Sequence, residues 1–263
     1  MSSLVSVTHL ARRVAQITFT NSKKLNPMTA ALGEALRGAF ASLDPLHTSA
    51  VVLTGEGSSF SAGGDLDFLR ARAAANPEVN VDTMVDFYRL FLTPLRGCPF
   101  PVIAAVSGAC VGAGAALATA ADMRIVSATA KVGFTFTSGV AIHPGMGSTH
   151  YLPKAVGPQQ AARLLLTGEM VSGRDMAAMG WALEAVEEQQ VLPRAIALAE
   201  RAAAAAPVAS RETLATLRAA LDQDLEAALK KEAEAQAICY AGKDFLLGLE
   251  GVVKKQQPVW SQY

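Results

Sequence analysis

Three shortages narrow this sequence before any motif is considered. Charge of one sign is missing as a surplus, because Lys plus Arg and Asp plus Glu balance at 23 each. No global basic field is available to hold nucleic acid, and no acidic tail is present. Cysteine is scarce: Cys98, Cys110 and Cys239 lie far apart without a C-x-x-C spacing. They read as free thiols of a reducing compartment, not as a disulfide or metal framework. Long apolar runs are missing too. The best candidate, residues 101–121, is broken by Ser107, Gly108, Gly112 and Gly114, short of the ~18 to 20 residues that a membrane span needs. The N-terminal stretch carries Arg12 and Arg13 and no acidic residue before Glu34, a faint transit-peptide composition, but Val14 to Thr20 alternates like a strand. The expected location is cytoplasmic, with the mitochondrial matrix as the alternative.

What is present is apolar. About half of the 263 residues are hydrophobic and 17% are charged, enough for a sizeable core. Strand-like runs (14–20, 50–54, 102–106, 123–126 and, more weakly, 182–186) alternate with helical patterns (28–43, 81–95, 113–121, 158–166 and 174–179), which predicts an α/β core. From about Leu192 the strand signal ends. Ala-rich, charge-alternating helix follows over 194–206, 210–221, 225–237 and 243–254, with a break at Pro207. Its apolar faces call for a partner, either the core or another subunit. Residues 70–80 read as a mobile connection ending at Asn76-Pro77.

Two segments carry most of the chemical information. In the first, a buried strand ends at Thr54-Gly55 and a loop delivers Ala62-Gly63-Gly64-Asp65 to a helix start. Asp65 suits the N-cap. In the second, Pro101 to Val106 runs into Ser107-Gly-Ala-Cys-Val-Gly-Ala-Gly114 and then another helix. Consecutive small residues let backbone N–H groups approach a ligand with no Cβ in the way. Two such turns side by side would aim two donors at one carbonyl oxygen, the arrangement that stabilises an oxyanion. Each alone could be tight helix–strand packing. Gly112-Ala-Gly114 lacks the third glycine of a dinucleotide fold.

Taken together, Leu25-Asn26-Pro27, Phe60 to Leu66 (FSAGGDL), Pro101 to Gly108 (PVIAAVSG), Ala120 to Ile125, Pro144 to Thr149, Leu152 to Gly157 and Leu166-Thr-Gly168 resemble the crotonase (enoyl-CoA hydratase/isomerase) superfamily, in that family's order and over nearly the whole chain. The resemblance implies a ββα spiral over residues 1–195 and a C-terminal helical trimerisation region over 196–263. It also implies an acyl-CoA substrate, a homotrimer or dimer of trimers, no metal, and no tightly bound cofactor, coenzyme A arriving as part of the substrate. No nucleic-acid or membrane partner is expected. By position, Gly64 and Ala113 supply the oxyanion N–H groups. Lys24, Leu25 and Ala62, Gly63, Gly64, Asp65, Leu66 and Asp67 line the CoA, and Lys254 or Lys255 reaches its phosphates.

The family's hydratases place one glutamate early in the helix after the second turn and another about twenty residues later. Here those positions fall at Ala116 and at Phe136 or Thr137. A positioned acid or base contributes ~10²- to 10⁴-fold, so hydration by a two-glutamate mechanism is not expected. His143 is the candidate substitute base, or else a helix-start or interface histidine. The hydroxyls of Thr135, Thr137 and Ser138 could orient a water, and Gly145 matches the family's water-positioning backbone. Tyr88 reads as core, Asp122 as structural, and Cys110 as small-residue packing. The outcome is an acyl-CoA-processing enzyme or, alternatively, a catalytically silent acyl-CoA-binding or assembly homologue.

Overall fold

The computed structural model describes residues 4–220 and 222–261. Leu221, the end of one expected helix, and Gln262 and Tyr263 lie outside the described residues. The strands are β1 (Val5–His9), β2 (Val14–Phe19), β3 (Ala50–Gly55), β4 (Ser59–Ser61), β5 (Val102–Val106), β6 (Ala109–Val111), β7 (Met123–Ser127), β8 (Lys131–Gly133), β9 (Met170–Ser172) and β10 (Glu184–Val186). The helices are α1 (Ala30–Ala41), α2 (Leu66–Ala73), α3 (Pro77–Gly97), α4 (Ala113–Ala120), α5 (Phe136–Val140), α6 (Ser148–Val156), α7 (Pro158–Thr167), α8 (Gly173–Ala178), α9 (Val191–Ala203), α10 (Pro207–Ala220), α11 (Leu225–Ala241) and α12 (Lys243–Lys254).

The long strands form one sheet in the order β1-β2-β3-β5-β7-β10, and the short ones a second in the order β4-β6-β8-β9. Each long strand from β3 to β7 passes directly into a short strand of the second sheet and then into helix. This is the expected ββα spiral, repeated three times. The first sheet is parallel except for β1, and its middle strands are buried on both faces, which is why they read as continuous apolar runs. Val51, Leu53, Val102, Ala104 and Val106 face the main core. Ala50, Val52, Ile103, Ala105 and Ile125 face the other way, where α9 lays down Val191, Ala195 and Ala199 at i, i+4, i+8. Helix α9 therefore covers the back of the sheet and carries both residue 195 and residue 196.

Beyond α9, a largely buried arginine ties the helical tail to the spiral, and Lys154 of α6 pairs with Asp222 at 3.1 Å at the surface. Arg218 on α10 pairs with Asp122 at 2.7 Å and donates to the carbonyls of Arg96, Cys98 and Phe100. Both Arg218 and Asp122 are largely buried, and Arg96 adds a second contact to the same carboxylate. Asp122 is thus structural, as expected. Helix α11 buries none of its residues, and Leu246, Leu249, Val252 and Val253 of α12 are exposed.

Several elements differ from expectation. Strand β1 and the three-residue strands of the second sheet go beyond the expected set, since three residues are too few to show an alternation. Residues 70–80 are mostly helical: α2 runs to Ala73, and α3 starts at Pro77 with the Asn76 side chain accepting from the Glu78 N–H at 2.9 Å. Asn76-Pro77 is an N-cap and first-turn proline, not the end of a loop. Pro207 likewise starts α10. Among the described residues, no helix is long and apolar enough to cross a membrane.

Candidate active site

The first glycine-rich turn is held from below by the chain around Asn26. Leu25 and Asn26 adopt left-handed backbone, with φ of 60° and 52°. The buried Asn26 amide donates to the carbonyls of Glu56 and Ser59 at 3.1 and 3.0 Å, which fixes that bend. From this strut the Leu25 carbonyl accepts from Ala62 at 2.9 Å, and the Met28 N–H donates to Gly63 at 2.8 Å. Asp65 caps α2 through its carboxylate, which accepts from Phe68 N–H at 2.9 Å. These bonds use the Gly63 carbonyl and leave the Gly64 N–H outside the ladder.

The second turn pivots on Gly112, whose φ of 52° and ψ of −119° no L side chain adopts comfortably. Its N–H donates to Gly133 at 2.8 Å, and Ala113 follows as the first residue of α4. An N–H at that position has no intrahelical acceptor, and it sits at the positive end of the helix dipole. The turns touch because both lack side chains at the contact. A Cβ on Gly63 would meet the Val111 carbonyl oxygen at 2.9 Å, and one on Gly114 would meet Ser61 Cβ at 2.6 Å.

Gly64 and Ala113 consequently line one cavity of about 150 Å³. Its aromatic wall comes from Phe68, Phe87, Tyr88 and Phe136, with Phe68 and Phe87 stacked at 4.6 Å. Thr135, His143 and Gly145 complete the positions of interest. The described lining contains no Asp or Glu. Its polar side chains are those of Tyr88, Thr135 and His143. Burial pushes the Tyr88 phenol above its ordinary pKa of 10, so it stays a neutral O–H donor at physiological pH.

Of the expected site residues, Ala62, Gly63, Gly64, Leu66, Ala113, His143 and Gly145 are brought together around this cavity. Lys24 and Leu25 are exposed beside the first turn. Asp67 is exposed and pairs with Arg70 at 2.7 Å. Thr137 is not brought in: its hydroxyl donates to the Leu165 carbonyl, and Phe136 faces the cavity in its place. Lys254 pairs with Glu250 at 2.9 Å, and Lys255 lies beside a separate apolar groove between α11, α12 and the C-terminal segment. Ala116 is fully buried within α4. Cys110 is fully buried as well, and burial raises its thiol far above the usual range, which removes it as a nucleophile near neutral pH. His150 packs edge-on against Tyr151 and lies 3.6 Å from Asp222, away from the cavity.

Sequence reasoning read Tyr88 as core and did not single out Met84, yet both line the cavity. Both lie on the stripe of α3 that also carries Phe87, Phe91 and Leu95, and a helical apolar stripe does not distinguish a cavity wall from a core.

The sequence profile of the enoyl-CoA hydratase/isomerase family matches residues 10–263. A protein of Rhodobacter capsulatus named a probable enoyl-CoA hydratase is 31% identical over 255 residues, covering 95% of each chain. The crotonyl-CoA hydratase of Syntrophomonas wolfei is 30% identical over 208 residues, 79% of this chain and 78% of its own. Among solved structures, the enoyl-CoA hydratase of Bacillus anthracis superposes with a TM-score of 0.90 at 30% identity, over 99% of this chain and 100% of that one.

Proposed function

The chain belongs to the enoyl-CoA hydratase/isomerase family of lyases and isomerases, and from that premise we propose that it processes a CoA thioester whose carbonyl oxygen is held by the N–H groups of Gly64 and Ala113. The observation that carries this reading is the meeting of the two turns at one cavity. As negative charge develops on the thioester oxygen, two backbone donors and the N-terminus of α4 stabilise it. One such donor is worth roughly 10²- to 10³-fold in rate. The aliphatic part of the acyl group enters between the aromatic side chains. The CoA moiety runs outward over Lys24, Leu25 and the stretch from Ala62 to Asp67. We propose that the exposed apolar faces of α11 and α12 pack in a homotrimer or dimer of trimers, and that the protein is cytoplasmic.

The relatives carry the name of a hydratase, and on that point the lining of this cavity argues for a difference. By resemblance the hydratases' two glutamates fall at Ala116 and at Phe136 or Thr137, none of them a carboxylate, and no Asp or Glu lines the described cavity. Among the described lining side chains, His143 alone carries an imidazole, a group able to accept and return a proton. Chemistry that builds an enolate without a glutamate pair fits this set better than hydration: isomerisation, decarboxylation or C–C cleavage assisted by His143. The same lining favours a second reading, an acyl-CoA-binding homologue without turnover.

Calorimetric titration with coenzyme A and butyryl-CoA should show saturable binding. Its absence would remove both readings. Crotonyl-CoA hydration by the wild type should fall far below the ordinary enzymatic range of ~1 to 10³ s⁻¹. Hydration within that range would show that the carboxylate argument is wrong.

A further inference from the structure

The Tyr88 hydroxyl is, with that of Thr135, a polar group of the described cavity lining that the proposed chemistry leaves unused. Its ring is fixed on both sides. Phe87 meets it edge-on at 6.4 Å, itself stacked on Phe68. On the other side Tyr88 lies so close to the backbone of Gly145 that a Cβ at 145 would come within 2.7 Å of its Cζ. Both Tyr88 and Gly145 line the cavity, and among the described residues the Tyr88 hydroxyl has no hydrogen-bond partner. A phenol seated this way presents a neutral O–H donor to the cavity, which a ligand oxygen can accept in place of solvent.

The volume sets a second limit. A cavity of about 150 Å³ is the size that accommodates a single benzene ring in an apolar protein interior. We infer that Tyr88 is the specificity-determining residue of this cavity, and that it selects a short acyl group, of about six heavy atoms at most, bearing an oxygen substituent beyond the thioester carbonyl. This inference rests on the acyl-CoA reading above and deepens it. The oxyanion donors recognise the thioester that every acyl-CoA shares, whereas Tyr88 distinguishes one acyl group from another. An unsubstituted aliphatic chain gives the hydroxyl no acceptor, and a longer chain runs beyond the cavity, where its added methylenes gain little burial.

The test is calorimetric binding of butyryl-, acetoacetyl-, 4-hydroxybutyryl- and octanoyl-CoA to wild type and to Tyr88→Phe, which keeps the ring and removes only the oxygen. Wild type should prefer at least one oxygenated acyl group over butyryl by about five- to tenfold, the worth of one neutral hydrogen bond. In Tyr88→Phe that preference should vanish while butyryl-CoA affinity changes less than twofold. Octanoyl-CoA should gain less than tenfold over butyryl-CoA, although four further buried methylenes would bring on the order of a hundredfold or more. A wild type without the preference, a preference that survives in Tyr88→Phe, or a gain above tenfold for octanoyl would each overturn the inference while leaving acyl-CoA binding intact. No binding of any CoA thioester would overturn it together with the reading beneath it.

Discussion

The two turns that meet at the cavity use the same small residues, yet they lead into opposite surroundings. Helix α2, behind the first turn, buries none of its residues, and Leu66 at its start is exposed. Helix α4, behind the second, buries all eight. Small residues in the first turn leave its backbone open on the outside, where the CoA is proposed to run. In the second they let a helix sink into the core with its N-terminus aimed at the cavity. One motif type therefore does two jobs, and substitutions at the two turns should fail in different ways.

The largest effect should come from Ala113→Pro. Proline at the first position of a helix keeps an acceptable φ and removes an N–H that has no intrahelical acceptor. The change therefore deletes one proposed oxyanion donor with little cost to the fold. Turnover of whichever CoA thioester proves to be the substrate should fall by about 10²- to 10³-fold, with the thermal midpoint moved by only a few degrees. An unchanged turnover would break the equivalence of the two turns as paired donors.

Stability should separate the turns next. A Cβ on Gly114 would sit 2.6 Å from Ser61 Cβ and 2.9 Å from the Ser61 carbonyl oxygen, so the second turn has no room to give. Gly114→Ala should cost about 1 to 3 kcal/mol in urea unfolding. At Gly64 the nearest atom to an added Cβ is Leu69 Cδ1 at 3.8 Å. Gly64→Ala should stay within about 0.5 kcal/mol of wild type. Equal losses at both sites would contradict the division into an open turn and a buried one.

Much of this division is legible in the residues themselves. Val102–Val106 reads as a strand buried on both faces and is one. The two small-residue turns, whose pairing the sequence left as a condition, are neighbours because they follow β4 and β6, adjacent parallel strands of the second sheet. The second sheet is harder to read, since β4, β6, β8 and β9 have three residues each and depend on pairing with one another for their existence. Helix α2 is hidden for a related reason: with no buried face it shows no apolar stripe, and its capping residue, Asp65, is the main local signal. Within the site, the proposed backbone donors rest on glycine and alanine at positions that the resemblance marks. The position of the Tyr88 hydroxyl depends on how α3 crosses the loop carrying Gly145, and no local pattern encodes that crossing.

Gly145→Ala should sharpen the same contrast on the acyl side. The added methyl forces the Tyr88 ring away from its seat, so the preference for an oxygenated acyl group should shrink severalfold as in Tyr88→Phe. Affinity for coenzyme A itself, which the outward-facing first turn is proposed to govern, should hold within twofold. Loss of coenzyme A affinity in this variant would mean that the acyl and CoA halves of the site are not separable.

The smallest effect should distinguish two lysines that the resemblance treats alike. Lys24 is exposed directly before the Leu25 strut that supports the first turn. Lys254 is already paired with Glu250 within α12 and lines neither turn. An exposed ammonium near an anionic ligand contributes up to about 1 kcal/mol, screened by salt. Lys24→Ala should therefore weaken coenzyme A binding about two- to fivefold at low ionic strength, and less in 0.5 M salt. Lys254→Ala should leave the affinity of an isolated subunit unchanged. If it instead weakens binding in the oligomer and not in a monomeric variant, Lys254 reaches a neighbour's ligand across the assembly. The CoA surface would then extend beyond the first turn of a single chain.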